Sequence, residues 1–230
     1  MLDIVFEDDY LLAINKPNNM LVHHSFMANN MSEEKSLVQL IIDEREEQYY
    51  PIHRLDRKTS GIVLFAKTKE RFEAFQNILQ SETTQKVYFA IVRGHAPASG
   101  IIDSPVKGRD ANVYKDAYTS FKCMDTLTLD IPVGKFDQSR YSLVELRPKT
   151  GRLHQLRIHM NKISHPIVGD PKYGDRFHNR MFIKVFDMDT LLLHANQLHF
   201  IHPITSENIS IQAPLPPNFV KIKKLFNNKG

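Results

Sequence analysis

The chain has 230 residues, 42% of them hydrophobic, which is enough to bury a core of ordinary domain size. Lys and Arg total 30 against 26 Asp and Glu, and the resulting net charge of +4 permits an anionic partner without requiring one. The single cysteine, Cys123, excludes an internal disulfide and a cysteine-type zinc cage, while no apolar run approaches the ~18 residues of a membrane span. A cytoplasmic protein that neither enters a membrane nor is secreted is expected.

In chain order, Ile4 to Phe6 and Leu11 to Ile14 read as short strands joined by the polar turn Glu7 to Asp9, with Lys16-Pro17 ending the second. Ser36 and Gln39 form a capping box ahead of Leu37, Leu40 and Ile41, which have helical spacing. Ile62 to Ala66 is a buried strand, and Phe72, Phe75, Ile78 and Leu79 share one face of a helix. Lys86 to Val92 alternates as a strand does, which puts Tyr88 and Phe89 on opposite faces. Further strands are predicted at Ala117 to Met124, Leu127 to Val133, Ser142 to Arg147, Leu191 to Phe200 and Ile209 to Gln212. Thr150 is placed as the N-cap of a helix in which Leu153, Leu156, Met160 and Ile163 form an apolar stripe. Phe219 to Phe226 forms a short basic helix whose Lys221, Lys223 and Lys224 read as a solvated face. Strands outnumber helices without a regular βα repeat, so the prediction is an α+β fold on a large, mixed, mostly antiparallel sheet with flanking helices. With no repeat and no Pro/Gly/Ser linker, residues 1–230 are expected to form a single domain.

Two stretches carry candidate chemistry. The loop His53-Arg54-Leu55-Asp56-Arg57-Lys58-Thr59-Ser60-Gly61 sets basic side chains around one carboxylate, and opposite charge within about 4–6 Å favours its ionised form. The alternative is a surface loop with ordinary ion pairs. In Pro148 to Met160, Arg152 and Arg157 are five positions apart, so on a helix they flank the apolar stripe about 140° from one another. One is placed to reach a carboxylate in a cleft and the other to bind phosphate near the helix N-terminus; an amphipathic helix with a solvated basic face is the competing reading. His154 and His159 miss the i, i+4 spacing that sets two metal ligands on one face, so no metal is expected. No phosphate-loop or dinucleotide fingerprint occurs, which leaves nucleotide cofactors without a seat.

His53 to Gly61 is a complete H-R-L-D-x-x-T-S-G segment. Lys86, Tyr88, Ala90, Val92 and Gly94 make K-x-Y-x-A-x-V-x-G, and Thr150 to His159 reads T-G-R-x-H-Q-x-R-x-H. Together these resemble the RluA family of pseudouridine synthases over nearly the whole chain. The resemblance implies the family's fold with a central catalytic cleft and an isomerase that needs no cofactor and no metal. It casts Asp56 as the nucleophile, attacking either the uracil ring or the ribose anomeric carbon, with Tyr88 stacking on the flipped base and taking the C5 proton, and Arg157 pairing with Asp56. By the same resemblance Arg54 fills the stack that the base vacates, and Arg57, Arg152, His154 and Gln155 hold the RNA. The segments Pro148 to Arg157, Gly169 to Asp175 with Asn179-Arg180, and Leu193 to Leu198 are most similar to the branch that modifies uridine 65 of transfer RNA. Transfer RNA is therefore the first expected substrate and ribosomal RNA the second, for a monomer without the S4 RNA-binding domain of some relatives. A non-catalytic RNA-binding or folding factor is the rival from another class, and a nucleoside or glycoside hydrolase is a second.

Overall fold

The computed structural model describes residues 1–24, 34–108 and 113–227. Its first elements are β1 (Ile4–Glu7), β2 (Leu11–Lys16), α1 (Leu37–Arg45), β3 (Tyr50–Pro51), β4 (Ser60–Ala66) and α2 (Lys69–Gln80). There follow β5 (Gln85–Arg93), β6 (Ser99–Asp103), β7 (Val106–Lys107), β8 (Tyr114–Lys115), β9 (Tyr118–Leu129) and β10 (Ser139–Pro148). The chain continues through α3 (Gln155–Lys162), α4 (Arg176–Phe186), β11 (Leu193–Ile201), β12 (Asn208–Gln212) and α5 (Pro217–Asn227). This is the expected α+β class with a large, mostly antiparallel sheet.

The protein divides into two compact units, Met1–Lys86 with Ala195–Pro214, and Val87–His194 with Leu215–Gly230. In the first, the strand order is β1-β2-β4-β11, with β3 on β4 and β12 on β11. Every residue of β4 is buried, and Ile62, Leu64 and Ala66 pack with Phe75 and Leu79 of α2 and with Leu198 and Phe200 of β11. Burial on both faces explains why this strand reads as a continuous apolar run. The helix α1 starts as the sequence predicts: Ser36 Oγ accepts from Gln39 N, and Gln39 Oε1 accepts from Ser36 N at 2.9 Å.

The second unit runs β5-β10-β9-β6, with antiparallel pairing throughout, and it carries the separate hairpin β7-β8. One face of this unit packs Ile91, Tyr141 and Leu143 against Phe182 of α4 and Phe219 and Phe226 of α5. The other packs Ala90, Val92, Val144 and Leu146 against Leu156 and Met160 of α3. The alternation of β5 is thus what clamps the sheet between two helical layers.

Three expectations are corrected. The two strands predicted at Ala117 to Met124 and Leu127 to Val133 are one strand, β9; its register against β10 slips between Leu143↔Asp125 and Val144↔Cys123. Met124 is the extra residue of that bulge, and a bulge reverses the in-out alternation, which makes one strand look like two. Thr150 is not a helix N-cap, because α3 begins only at Gln155 and its cap is His154 in the left-handed region, φ 55°. Arg152 and Leu153 therefore lie outside the helix, and the 140° argument does not apply to them. Helix α4 is an addition, capped by Asp175, whose carboxylate accepts from Phe177 N and His178 N.

Candidate active site

The loop of residues 52–59 joins β3 to β4, and its shape is held by side-chain donors that reach backbone carbonyls. Asp56 opens a tight turn in which its carbonyl accepts from Thr59 N at 3.0 Å. Lys16, at the end of β2, is completely buried, and its ammonium donates to Pro17 O (2.8 Å), Met20 O (2.9 Å) and Arg57 O (3.1 Å). Asn18 Nδ2 donates to Lys58 O at 2.6 Å. The two residues after Asp56 are therefore held by their own carbonyls. Gly61 completes the loop at φ +112°, and a Cβ there would stand 2.2 Å from the Ala195 carbonyl oxygen, so only glycine fits. His53 Nε2 accepts from Leu64 N at 3.1 Å, which requires a neutral ring. Burial, and then the Lys86 charge, push its pKa down to about 3 in agreement with that.

Lys16 is a functional candidate that the sequence did not single out beyond its place in Lys16-Pro17 at the end of a strand. Its signal was available, since a lysine inside an apolar strand is rarely buried without a partner. Desolvation lowers its pKa from 10.5 to about 7, and the negative charge of Asp56 opposes that fall. The folded value lies below the ordinary one, so the burial costs stability in full below about pH 7, and that cost fades as pH rises towards 10.5. Asp56→Asn is accordingly expected to move the Lys16 titration further down. The side-chain carbon shifts of Lys16 followed by NMR against pH measure it; an unmoved midpoint would show that the two charges do not act on each other.

In the second unit, the signature from Thr150 to His159 serves three separate tasks. Gln155 uses its whole amide: Oε1 accepts from Thr150 Oγ1 (2.7 Å) and Arg152 N (3.0 Å), and Nε2 donates to Tyr118 O and Thr119 Oγ1 (both 3.0 Å). It ties the loop ahead of α3 to β9. Thr119, accepting from Gln155, turns its own proton to His159 Nδ1 (3.0 Å), and His159 Nε2 donates to Ser104 O (2.9 Å). Burial lowers the pKa of His159, and the chain of bonds fixes its neutral tautomer. The third task belongs to Arg157, which is 5% exposed and forms a bidentate pair with Asp170, Nε to Oδ2 at 2.7 Å and Nη2 to Oδ1 at 2.8 Å. Asp170 also accepts from Lys172 N and Tyr173 N. Burial raises its pKa, but the bonds from Arg157 and these amides together hold the carboxyl below its usual range. The Tyr173 ring lies 5.3 Å from the Arg157 guanidinium, and its hydroxyl meets His154 Nδ1 at 3.1 Å.

The remaining predicted residues are placed as follows. Tyr88 is half-buried on β5, opposite Leu146 of β10, and packs on the core beneath α3. Arg54 is exposed on the loop. Arg57 turns to Glu34, with which it makes an ion pair, and to Asn19 O at 3.0 Å. Arg152 is exposed and donates through Nε to Asp116 O at 3.0 Å. Among the described residues, no group of three or more His, Cys, Asp or Glu is arranged to hold a metal ion.

Residues 10–162 match the family described as RNA pseudouridylate synthase. The chain is 39% identical over 225 residues to a protein of Vibrio cholerae named tRNA pseudouridine synthase C, covering 94% of this chain and 91% of that one. It is 40% identical to a protein of the same name from Haemophilus ducreyi, over the whole of this chain and 96% of the other. Among solved structures, Human RNA Pseudouridylate Synthase Domain Containing 4 matches with a TM-score of 0.70 and 26% identity, covering 96% of this chain and 92% of that one. The chain belongs to the RNA pseudouridylate synthase family, and it is an enzyme that isomerises uridine to pseudouridine in RNA.

Proposed function

We propose that this enzyme modifies transfer RNA, at uridine 65, with Asp56 as the nucleophile. The observation that carries the choice of RNA is the near-complete alignment, at 39–40% identity, with relatives named tRNA pseudouridine synthase C. The observation that carries the nucleophile is the turn itself, which presents Asp56 from a rigid frame of buried donors rather than from a solvated loop.

The reaction breaks the bond from ribose C1′ to uracil N1, turns the base, and forms a bond from C1′ to C5. The C5 proton is lost and N1 gains one, so no electrons are exchanged and nothing is hydrolysed. A carboxylate that forms a covalent intermediate divides this displacement into easier steps, as in retaining glycosidases. Tyr88 supplies a stacking face for the flipped base and Arg54 fills the gap it leaves, which offsets part of the few kcal/mol that flipping costs. Arg57, Arg152 and His154 face the RNA, and Gln155 acts through the loop it holds. The enzyme works as a cytoplasmic monomer.

Transfer RNA transcripts tritiated at uracil C5 test this reading. Release of one tritium per transcript, with pseudouridine mapped to position 65, is expected. Undiminished release from a transcript carrying cytidine at position 65, or activity confined to ribosomal RNA, would overturn the assignment. No release from any RNA would favour the binding-factor alternative.

A further inference from the structure

Helix α4 and the cleft beside it form a surface outside the signature motifs. Over residues 171–184 the chain carries Lys172, Arg176, Arg180 and Lys184, all exposed, against one acid, Asp175. Asp175 is occupied: it caps α4 and pairs with Arg93 Nη1 at 2.6 Å. Arg176, Arg180 and Lys184 follow one another at intervals of four, so they share one face of the helix in steps of about 6 Å. The row spans about 12 Å, or three to four nucleotides at a rise of roughly 3.4 Å.

A merely solvated face would carry polar residues around these cations. This one carries Phe177 and Ile183, which are 49% and 51% exposed. Arg176 lies 4.8 Å from the centroid of the Phe177 ring, and Phe177 lines a cleft of about 970 Å³. Phe136, 62% exposed, lines the same cleft, with the Lys135 ammonium 5.5 Å from its ring centroid. The charges that line the cleft balance: Arg93, Lys135 and Arg140 against Asp130, Asp137 and Asp175. A nucleic-acid strand has the same division, with uncharged flat bases on one side and a phosphate on every nucleotide along the other. Aromatic rings flanked by cations accept bases of any sequence by stacking, and a cationic row takes the backbone.

We infer that the exposed face of α4, with Arg176, Arg180 and Lys184, holds the backbone of the substrate RNA outside the modified nucleotide, and that Phe136 and Phe177 stack its bases. The inference rests on the protein's action on RNA and is independent of which uridine is modified. It predicts a surface that sets affinity and leaves the chemical step alone.

The test is the triple variant Arg176→Ala/Arg180→Ala/Lys184→Ala, with binding of a transfer RNA transcript measured across a salt series. The affinity is expected to fall about 10–100-fold and the slope of log K against log salt to shrink by about 2–3, with kcat within twofold of the parent. Phe136→Ala/Phe177→Ala is expected to weaken binding about tenfold with the salt slope unchanged. Arg176→Lys/Arg180→Lys should keep most of the affinity, because phosphate positioning asks for charge and not for a guanidinium fork. A triple variant that binds within twofold of the parent with the same salt slope would overturn the inference. Because binding is read without turnover, the result stands apart from the tritium assay: an enzyme that modifies another RNA would still lose affinity through this row.

Discussion

Asp56→Ala is expected to abolish pseudouridine formation, lowering kcat by on the order of 10⁴-fold or more, while RNA affinity and thermal midpoint stay close to those of the parent. The fold should survive because the turn depends on main-chain groups. The Asp56 carbonyl accepts from Thr59 N, Lys16 reaches Arg57 O, and Asn18 reaches Lys58 O, none of which needs the Asp56 carboxylate. Asp56 is also half-exposed, so truncation opens no core cavity. The loss therefore falls on chemistry. Asp56→Asn sharpens the measurement, since it keeps the volume and polarity of the side chain and removes its charge, which Lys16 also feels. Tritium release from C5-labelled RNA reads the reaction and gel-shift titration reads binding. Measurable turnover by either variant would exclude a covalent role for this carboxylate, whereas joint loss of binding and melting temperature would assign Asp56 to the frame of the loop.

What the sequence shows of this protein depends on how far each feature reaches along the chain. The strands β4 and β5, the capping box of α1 and the signature His53 to Gly61 are legible because their signals are local: alternation, a run of apolar residues, or one cap with its partner. The reason Gly61 must be glycine is not local, since the obstructing backbone belongs to Ala195. Lys16 is legible only as a lysine within an apolar strand; its partners are three backbone carbonyls, which every residue possesses and no sequence displays. Thr150 looks like a helix cap by type, yet Gln155 claims its hydroxyl, and the helix waits for His154 to turn the chain. Helix α4 has a local signal too, the cap Asp175 ahead of the buried Met181 and Phe182. Composition does not mark the two compact units, whose bounds fall within β5, within β11 and after Pro214.

Asp170→Asn is expected to cost about 3–5 kcal/mol of stability, because it removes the charge of the carboxylate that the buried Arg157 guanidinium grips in a bidentate pair. For a chain of this size that corresponds to a fall in Tm of about 6–20 °C. The pair is bidentate, its carboxylate side chain is fully buried, and the residues around it are fixed: Gly169 at φ +79° would meet the Thr190 carbonyl with any Cβ, and Asn179 binds both Gly169 N and Asp170 O. The loop is held where it is, so the loss of charge is felt at the pair itself. Asp170 has a depressed pKa, so its contribution is complete above the ordinary carboxylate range and is lost only as pH falls through the lower, folded value. The effect should therefore be constant through neutral pH. A second substitution separates stability from catalysis. Arg157→Met/Asp170→Asn removes both charges, and the double variant should recover a large part of the lost Tm, since an apolar replacement of a buried pair is commonly neutral or stabilising. Activity is expected not to return with it, since the family resemblance casts Arg157 in the reaction. Melting curves and tritium release on the four proteins of this cycle decide the matter. Additive losses of Tm would show that the two side chains do not depend on each other, and recovery of turnover in the double variant would reduce Arg157 to a structural residue.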